Sequence, residues 1–341
     1  MEKVIIIGLD LAKNVFQAHG AGADGSVAFR KKLSRSQVLP FFAKQPACLV
    51  AMEACASAHH WGRSIRDLGH EVRLIPPIYV KPFVKRQKND SADAEAIAEA
   101  ASRPTMRFVA VKSIEQQAAG MAFRTRDLFV RQKTQTINAL RGHLAEYGVI
   151  APKGVANVSR LVLAINDPDS GLPHQVIELG RMLLSQIEEL QQKIDGLERE
   201  IRVRTREDSV ASRLMTIPGI GPICASAMMA LAPPAESFAR GRDFSAWLGL
   251  VPKQHSSGGK ERLGRTSKMG QRDLRRLLIT GAMAVVRWAT RRGPPEGSWL
   301  QKMLARKPMM LVAVALANKM ARIAWALMAQ GGVYRNPLAT A

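Results

Sequence analysis

The chain has 341 residues, 47% of them hydrophobic and 5% aromatic, and its 50 Lys and Arg stand against 28 Asp and Glu, a formal net charge of +22. This length and apolar content exclude a disordered tail and leave room for two domains with cores of their own, while a cation excess far beyond the needs of solubility implies a polyanionic partner, nucleic acid ahead of a membrane surface because Lys and Arg are spread along the chain. Three cysteines, Cys48, Cys55 and Cys224, without CxxC spacing, exclude a disulfide framework and a structural zinc site and give a cytoplasmic pattern.

Apolar and β-branched runs predict strands at 3–9, 14–20, 26–32, 47–52 and 71–75. The N-terminus runs almost directly into the first strand and shows no signal-peptide pattern. Glycine turns, Ala21-Gly22-Ala23-Asp24-Gly25 among them, make the first three strands an antiparallel meander, and a helix over 57–68 completes a βαβ unit with the last two. Three meandering strands followed by β-α-β is the order of the RNase H-like fold, an α/β architecture with carboxylates at strand ends and on a late helix. An Ala-rich helix opens at Asp90, and a longer one covers 112–147 with Gln and Arg outward. Pro152, Gly154, Pro168, Gly171 and Pro173 mark 151–173 as a breaker-rich connector. The run 174–205 carries Ile177, Leu183, Leu184, Ile187, Leu190, Ile194, Leu197 and Ile201 at spacings of three and four, a coiled-coil-like helix that either packs on its own domain or joins subunits. From 210 onward the chain reads as mainly helical. Its most apolar stretch, Met309–Met328, contains Asn318, Lys319 and Arg322, which suits a buried or partner-facing helix and not a membrane span. The expected domains are 1–150, then a linker and long helix over 151–209, then 210–335.

Four acids stand out in a chain poor in acids. Asp10 ends the run Val4–Leu9, Glu53 ends Cys48–Met52, and Asp90 and Asp93 open the Ala-rich helix on one face. Taken singly, each has an ordinary reading: a turn residue for Asp10 or Glu53, helix capping for Asp90 or Asp93. Gly8-Leu9-Asp10-Leu11-Ala12-Lys13 is also similar to the first phosphate loop of actin-like ATPases, without the further Gly-rich loops such a site needs. Together the four carboxylates repel one another unless a cation lies between them, and all-oxygen ligands suit Mg²⁺ or Mn²⁺. Such ions activate nucleophiles and stabilise leaving oxygens in phosphodiester chemistry.

Further along, Ile217-Pro218-Gly219-Ile220-Gly221-Pro222 before an apolar helix reads either as a tight turn or as a helix-hairpin-helix element, in which Gly219 and Gly221 let backbone N–H groups approach a phosphate. The segment after Leu250-Val251-Pro252 is a basic loop, with Lys253, Lys260, Arg262, Arg265, Lys268, Arg272, Arg275 and Arg276 as candidate phosphate contacts. Its Ser256-Ser257-Gly258-Gly259 is ordinary loop material by composition, or a serine nucleophile among cations.

These motifs together resemble the DEDD-type insertion-sequence transposases, RNA-guided serine recombinases with a RuvC-like N-terminal domain and a C-terminal transposase domain. The resemblance rests on Gly-Leu-Asp10-Leu-Ala-Lys, Met-Glu53-Ala-Cys, Asn-Asp90-Ser-Ala-Asp93-Ala, Ile-Pro-Gly-Ile-Gly, and Leu-Val-Pro-Lys-Gln-His-Ser-Ser-Gly with the later Arg-Thr-Ser-Lys-Met-Gly and Leu-Arg-Arg-Leu-Leu, and it covers nearly the whole chain. It implies a divalent metal on Asp10, Glu53, Asp90 and Asp93, and attack on DNA by Ser257, with Ser256 one residue away. It also implies donor and target DNA, a structured non-coding guide RNA, a homo-oligomer, a nucleoid-associated bacterial setting, and an active site drawn from distant segments or from two subunits. Ala56-Ser57 departs from the pattern where family members often carry glycine, which should alter the local turn. Two rivals remain at this stage: a Holliday-junction resolvase-like nuclease in which the acids activate water, and a non-catalytic nucleic-acid-binding protein.

Overall fold

Alternating burial builds the N-terminal sheet. In β1 (Ile6–Asp10), Ile7 and Leu9 are fully buried on one face, and the alternation sends Gly8 and Asp10 to the other. β2 (Val15–Ala21) and β3 (Val27–Ser34) follow as an antiparallel meander, and β4 (Leu49–Glu53) and β5 (Glu71–Ile75) join in parallel, giving the order β3-β2-β1-β4-β5. This is the mixed α/β order expected from the sequence. The computed structural model describes residues 4–85 and 90–335, with the side chains of Asp90 and Val155 outside that description. Two compact units result, the first ending at Glu115 and the second beginning at Gln116.

Each face of the sheet has its own cover. α1 (Val38–Ala43) and α2 (Ala58–Arg66) bury Val38, Phe42, Trp61 and Ile65 against Ile7, Leu9, Phe16, Val50 and Met52, with Phe16 and Trp61 edge to face at 5.1 Å. Each of these large side chains contributes about 1.5–3 kcal/mol by leaving water. On the other face a short α3 (Pro77–Val80) and then α4 (Asp90–Ala101) pack Ala96, Ile97, Ala100 and Ala101 against Ala51 and Ile75. Alanines are what bring α4 so close: a Cβ added to Gly8 would lie 2.2 Å from the Ala94 carbonyl oxygen and 2.7 Å from the Ala98 nitrogen.

The second unit is helical. α5 (Ile114–Ala145) leads through α6 (Val158–Asn166) to the 34-residue α7 (His174–Glu207). The connector read as breaker-rich therefore contains a helix: its Pro and Gly residues lie outside Val158–Asn166, and Leu161 and Ile165 bury beside Leu140 and Leu144. Ion pairing of Arg126 with Glu198 and a bond from Lys133 to Gln191 run α5 and α7 antiparallel, so α7 packs on its own unit along this stretch. Leu179 and Met182 near its start remain 52% and 68% exposed.

α8 (Ser209–Leu214), α9 (Pro222–Leu231), α10 (Gly241–Trp247), α11 (Arg272–Arg292), α12 (Trp299–Leu304) and α13 (Met309–Gln330) form the remainder. α13 is the one helix among the described residues long and apolar enough to cross a membrane. Its Val312, Ala313, Ala317, Met320, Ala321 and Ala324 are buried in the core shared with Phe244, Leu274, Leu278 and Met228, which makes it the central helix of this unit. Between α10 and α11 the segment read as a loop is a hairpin, β6 (Pro252–Gln254) with β7 (Leu263–Thr266).

Candidate active site and nucleic-acid interface

Asp10 and Glu53 end neighbouring parallel strands. Leu9 pairs with Met52, so the next residues, Asp10 and Glu53, stand side by side at the carboxyl edge of the sheet. Both occupy the positions that alternate with the buried Leu9 and Met52, the same face on which α4 lies. Asp93 immediately precedes Ala94, the residue whose carbonyl rests on Gly8, two positions before Asp10 in β1. Burial raises the Glu53 pKa above the usual carboxylate range, and the negative charge of Asp93 adds to the effect. Desolvation of the Cys55 sulfur, then the charges of Glu53 and Asp10, push that thiol up as well, although the residue as a whole is exposed. The structure thus brings Asp10, Glu53 and Asp93 into one electrostatic patch. Asp90 starts the same helix, one turn ahead of Asp93, but its side chain lies outside the described residues.

Among the described residues no three ligand-type side chains are already gathered around one point. The donor set nevertheless fits a hard divalent cation: every donor is a carboxylate oxygen, and a cation would offset both the burial that chiefly raises Glu53 and the Asp93 charge that adds to it. Just beyond Glu53, Ser57 adopts φ 72 at the start of α2 and makes no capping bond. Of the Ala56-Ser57 pair at which the chain departs from glycine, Ser57 is the left-handed residue.

Ser257 lies at the tip of the hairpin. Its carbonyl accepts the Lys260 N–H at 3.1 Å across a two-residue turn in which Gly258 and Gly259 have φ of 57 and 75, the left-handed pair such a turn requires. The Ser256 hydroxyl accepts the Arg262 N–H at 3.3 Å and so helps close the hairpin. No hydrogen bond engages the Ser257 hydroxyl among the described residues. His255 crosses to the opposite strand, where its ring lies 3.0 Å from the place a Gly264 Cβ would take. At the neck, Ser267 N–H donates to Val251 and Lys268 N–H to Gly249, and Lys268 itself sits at φ 54.

The predicted cations divide into two groups. Lys253, Lys260, Arg262, Arg265, Lys268 and Arg272 are exposed on or beside the hairpin. Arg275 instead donates to the carbonyls of Leu248 at 2.9 Å and Met269 at 3.1 Å, clamping both ends of the neck, and Arg276 pairs with Asp127 of α5. Burial and the neighbouring Arg272 charge lower the Arg275 pKa. The two predicted glycines also differ. A Cβ added to Gly219, at φ 90, would lie 2.8 Å from the Gly281 carbonyl oxygen and 3.0 Å from its carbon, leaving no open approach on that side, whereas Gly221 is exposed at the start of α9 with open space around it. The clamp of Arg275 and the contacts of Gly8 and Gly281 escaped sequence reasoning. Of these only Gly8 had a local signal, a glycine inside an apolar strand.

Comparison with known proteins identifies the family. The DEDD transposase model of the IS110 group matches residues 7–149, and the model described as "Transposase IS116/IS110/IS902 family" matches residues 211–294. A probable family 20 transposase of Pseudomonas aeruginosa is 51% identical over 96% of this chain and 98% of its own length. The transposase for insertion sequence element IS1328 of Yersinia enterocolitica is 41% identical over 98% of this chain and 99% of its own, and that for IS1111A of Coxiella burnetii is 38% identical over 98% and 92%. DEDD nuclease domains of this kind use divalent metal ions. The chain belongs to the IS110 family of insertion-sequence transposases, enzymes that cleave and rejoin DNA.

Proposed function

We propose that this transposase excises and inserts its element through a serine nucleophile, Ser257, assisted by Mg²⁺ or Mn²⁺ held by Asp10, Glu53, Asp90 and Asp93 of an RNase H-like, RuvC-like domain. The observation that carries the nucleophile is the contrast at the hairpin tip: the Ser256 hydroxyl is engaged in the hairpin, and that of Ser257 is not. In the proposed step Ser257 Oγ bonds to phosphorus as a phosphorus–oxygen ester bond of the strand breaks. The hydroxyl proton passes to solvent, and the departing deoxyribose oxygen takes up a proton. The phosphoserine ester conserves the bond for rejoining, which a water-activating nuclease cannot do. A divalent ion would supply charge neutralisation at the phosphate.

Lys253, Lys260, Arg262, Arg265, Lys268 and Arg272 hold DNA phosphates, with Arg275 and Arg276 reaching the strand only through the hairpin they support. Gly219 and Gly221 belong to a helix-hairpin-helix turn that contacts a phosphate backbone chiefly at Gly221. Functionally we divide the chain into 1–150, 151–209 and 210–335, with the long helix as the element through which a homo-oligomer forms, supported by its exposed Leu179 and Met182. A structured guide RNA selects the sites, in keeping with a net charge of +22 and few aromatics. Sequencing the RNA that co-purifies with the protein tests this, and random fragments would count against it.

The deciding experiment incubates the protein with a plasmid carrying the element and its flanks, then denatures it and looks for protein covalently joined to DNA. Ser256→Ala keeps the adduct and Ser257→Ala abolishes it. An adduct persisting in Ser257→Ala overturns the assignment, and cleavage without any adduct points to a resolvase-like nuclease.

A further inference from the structure

The second unit holds a cleft of about 1100 Å³ that none of the predicted contacts occupies. Pro252 and Thr266, a paired couple at the base of the serine hairpin, border it, and α13 forms its floor. Two indoles line it. Trp325 is fixed by donating its Nε1 hydrogen to the Ala235 carbonyl at 3.0 Å, and Trp299 lies beneath the Lys319 ammonium at 5.1 Å. Arg240, Arg242, Lys319 and Arg322 supply four cations, and no acid is among the lining residues. None of the four forms an ion pair within the described residues. Asn318 on the floor donates to the Leu250 carbonyl at 3.2 Å, tying the cleft to the strand that leads into the hairpin.

We infer that this cleft binds an unpaired stretch of the DNA strand next to the phosphodiester that the serine hairpin attacks, an inference that rests on the function proposed above. A duplex presents base edges and a regular backbone, whereas an unpaired strand presents faces that stack on indole and phosphates that follow a row of cations. The combination of two Trp walls, Trp325 fixed by Ala235, with a rim of cations that no acid pairs matches that ligand. DNA is the occupant because the cleft is continuous with the hairpin base, and DNA is what the enzyme cuts.

The test uses the full chain carrying Ser257→Ala, so that binding is read without chemistry, and a labelled mixed-sequence single-stranded DNA of about 20 nucleotides beside RNA of the same sequence. Adding Trp299→Ala weakens DNA binding roughly 5- to 100-fold, and Trp299→Phe restores most of it. Arg242→Gln with Arg322→Gln, both exposed and tolerant of change, lowers the slope of log affinity against log salt by about 1.4, two single-strand phosphate contacts. Circular dichroism melting verifies that each variant is folded. Unchanged DNA affinity and salt slope in the folded variants overturn the inference, whether or not RNA binding falls. An unaffected cleft alongside a Ser257-dependent adduct removes this proposal and leaves the serine in place. Weakened DNA binding by the cleft variants with no adduct from the unmodified protein does the reverse.

Discussion

Gly8→Ala is expected to damage catalysis without touching a carboxylate. The new methyl group would stand 2.2 Å from the Ala94 oxygen, 2.7 Å from the Ala98 nitrogen and 3.0 Å from the Ala98 Cβ. Two of these atoms are backbone, so no rotamer change relieves the overlap, and α4 must retreat by about 1 Å to restore contact distance. Overpacking of this kind costs about 1–3 kcal/mol. Asp93 is the neighbour of the displaced Ala94, and a ligand misplaced by about 1 Å lowers the rate roughly 100-fold. The assay pairs thermal melting of the first unit with the rate of covalent adduct formation on plasmid DNA. Gly142→Ala is the control, since Gly142 is an exposed α5 residue with open space at its Cβ position, and there alanine should leave activity unchanged and stabilise the helix by about 1 kcal/mol. Equal melting and equal rate for Gly8→Ala and the parent would refute the close-packing argument.

Four further outcomes are expected. Ser57→Gly relieves the left-handed serine at φ 72 and should raise the stability of the first unit by about 0.5–1 kcal/mol, visible as a melting transition a few degrees higher; a lower transition would show the serine is not strained. His19 is 3% exposed, and burial lowers its pKa from 6.5, opposed by Glu95 and reinforced by Arg30 and Lys85. The unfolded chain therefore takes up a proton as pH falls below 6.5 while the folded chain resists, so stability drops on acidification. Urea midpoints between pH 7 and 5 should fall less in His19→Gln than in the parent, and parallel slopes would refute the assignment. Arg275→Lys should slow adduct formation while leaving the salt slope of DNA binding unchanged, because its guanidinium is bonded to Leu248 and Met269; Lys260→Gln should lower that slope by about 0.9. Mg²⁺ at about 100 times its dissociation constant should stabilise the first unit by about 2.7 kcal/mol. Asp93→Asn should abolish that shift while stabilising the metal-free protein, and an unaltered Mg²⁺ response would remove Asp93 from the ligand set.

Strands β1, β4 and β5 were readable because each carries its own burial signal: Ile7 and Leu9, Val50 and Met52, and Val72 and Leu74 are apolar residues at alternate positions, whereas β3 buries only Leu33 and is positioned by its pairing with β2. β6 and β7 carry none, every residue but one being exposed, so nothing in Pro252–Gln254 or Leu263–Thr266 marks a strand. Their pairing is set by the Gly258-Gly259 turn at the tip and, at the base, by the Arg275 clamp and the neck hydrogen bonds between segments some twenty residues apart. The same distance explains why Arg275 and Arg276 read as free cations. A basic residue announces its charge locally, but a partner carbonyl or Asp127 is chosen by the fold.

Asp10, Glu53 and Asp93 share one edge for a different reason, which begins at the two strand ends. Once β1 and β4 pair in parallel with Leu9 opposite Met52, Asp10 and Glu53 must emerge side by side. Once Ala94 and Ala98 settle on Gly8, Asp93 must approach the same edge. The carboxylate patch is therefore a consequence of backbone register and of one missing Cβ. The repulsion it stores is balanced by packing elsewhere in the unit: the buried layer of Phe16, Phe42, Trp61 and Ile65 on the opposite face fixes the strands, and Ile97 and Ala100 fix the helix. It follows that a substitution weakening either layer by a few kcal/mol should loosen the acids before it unfolds the unit, whereas one on the exposed hairpin should leave them where they are.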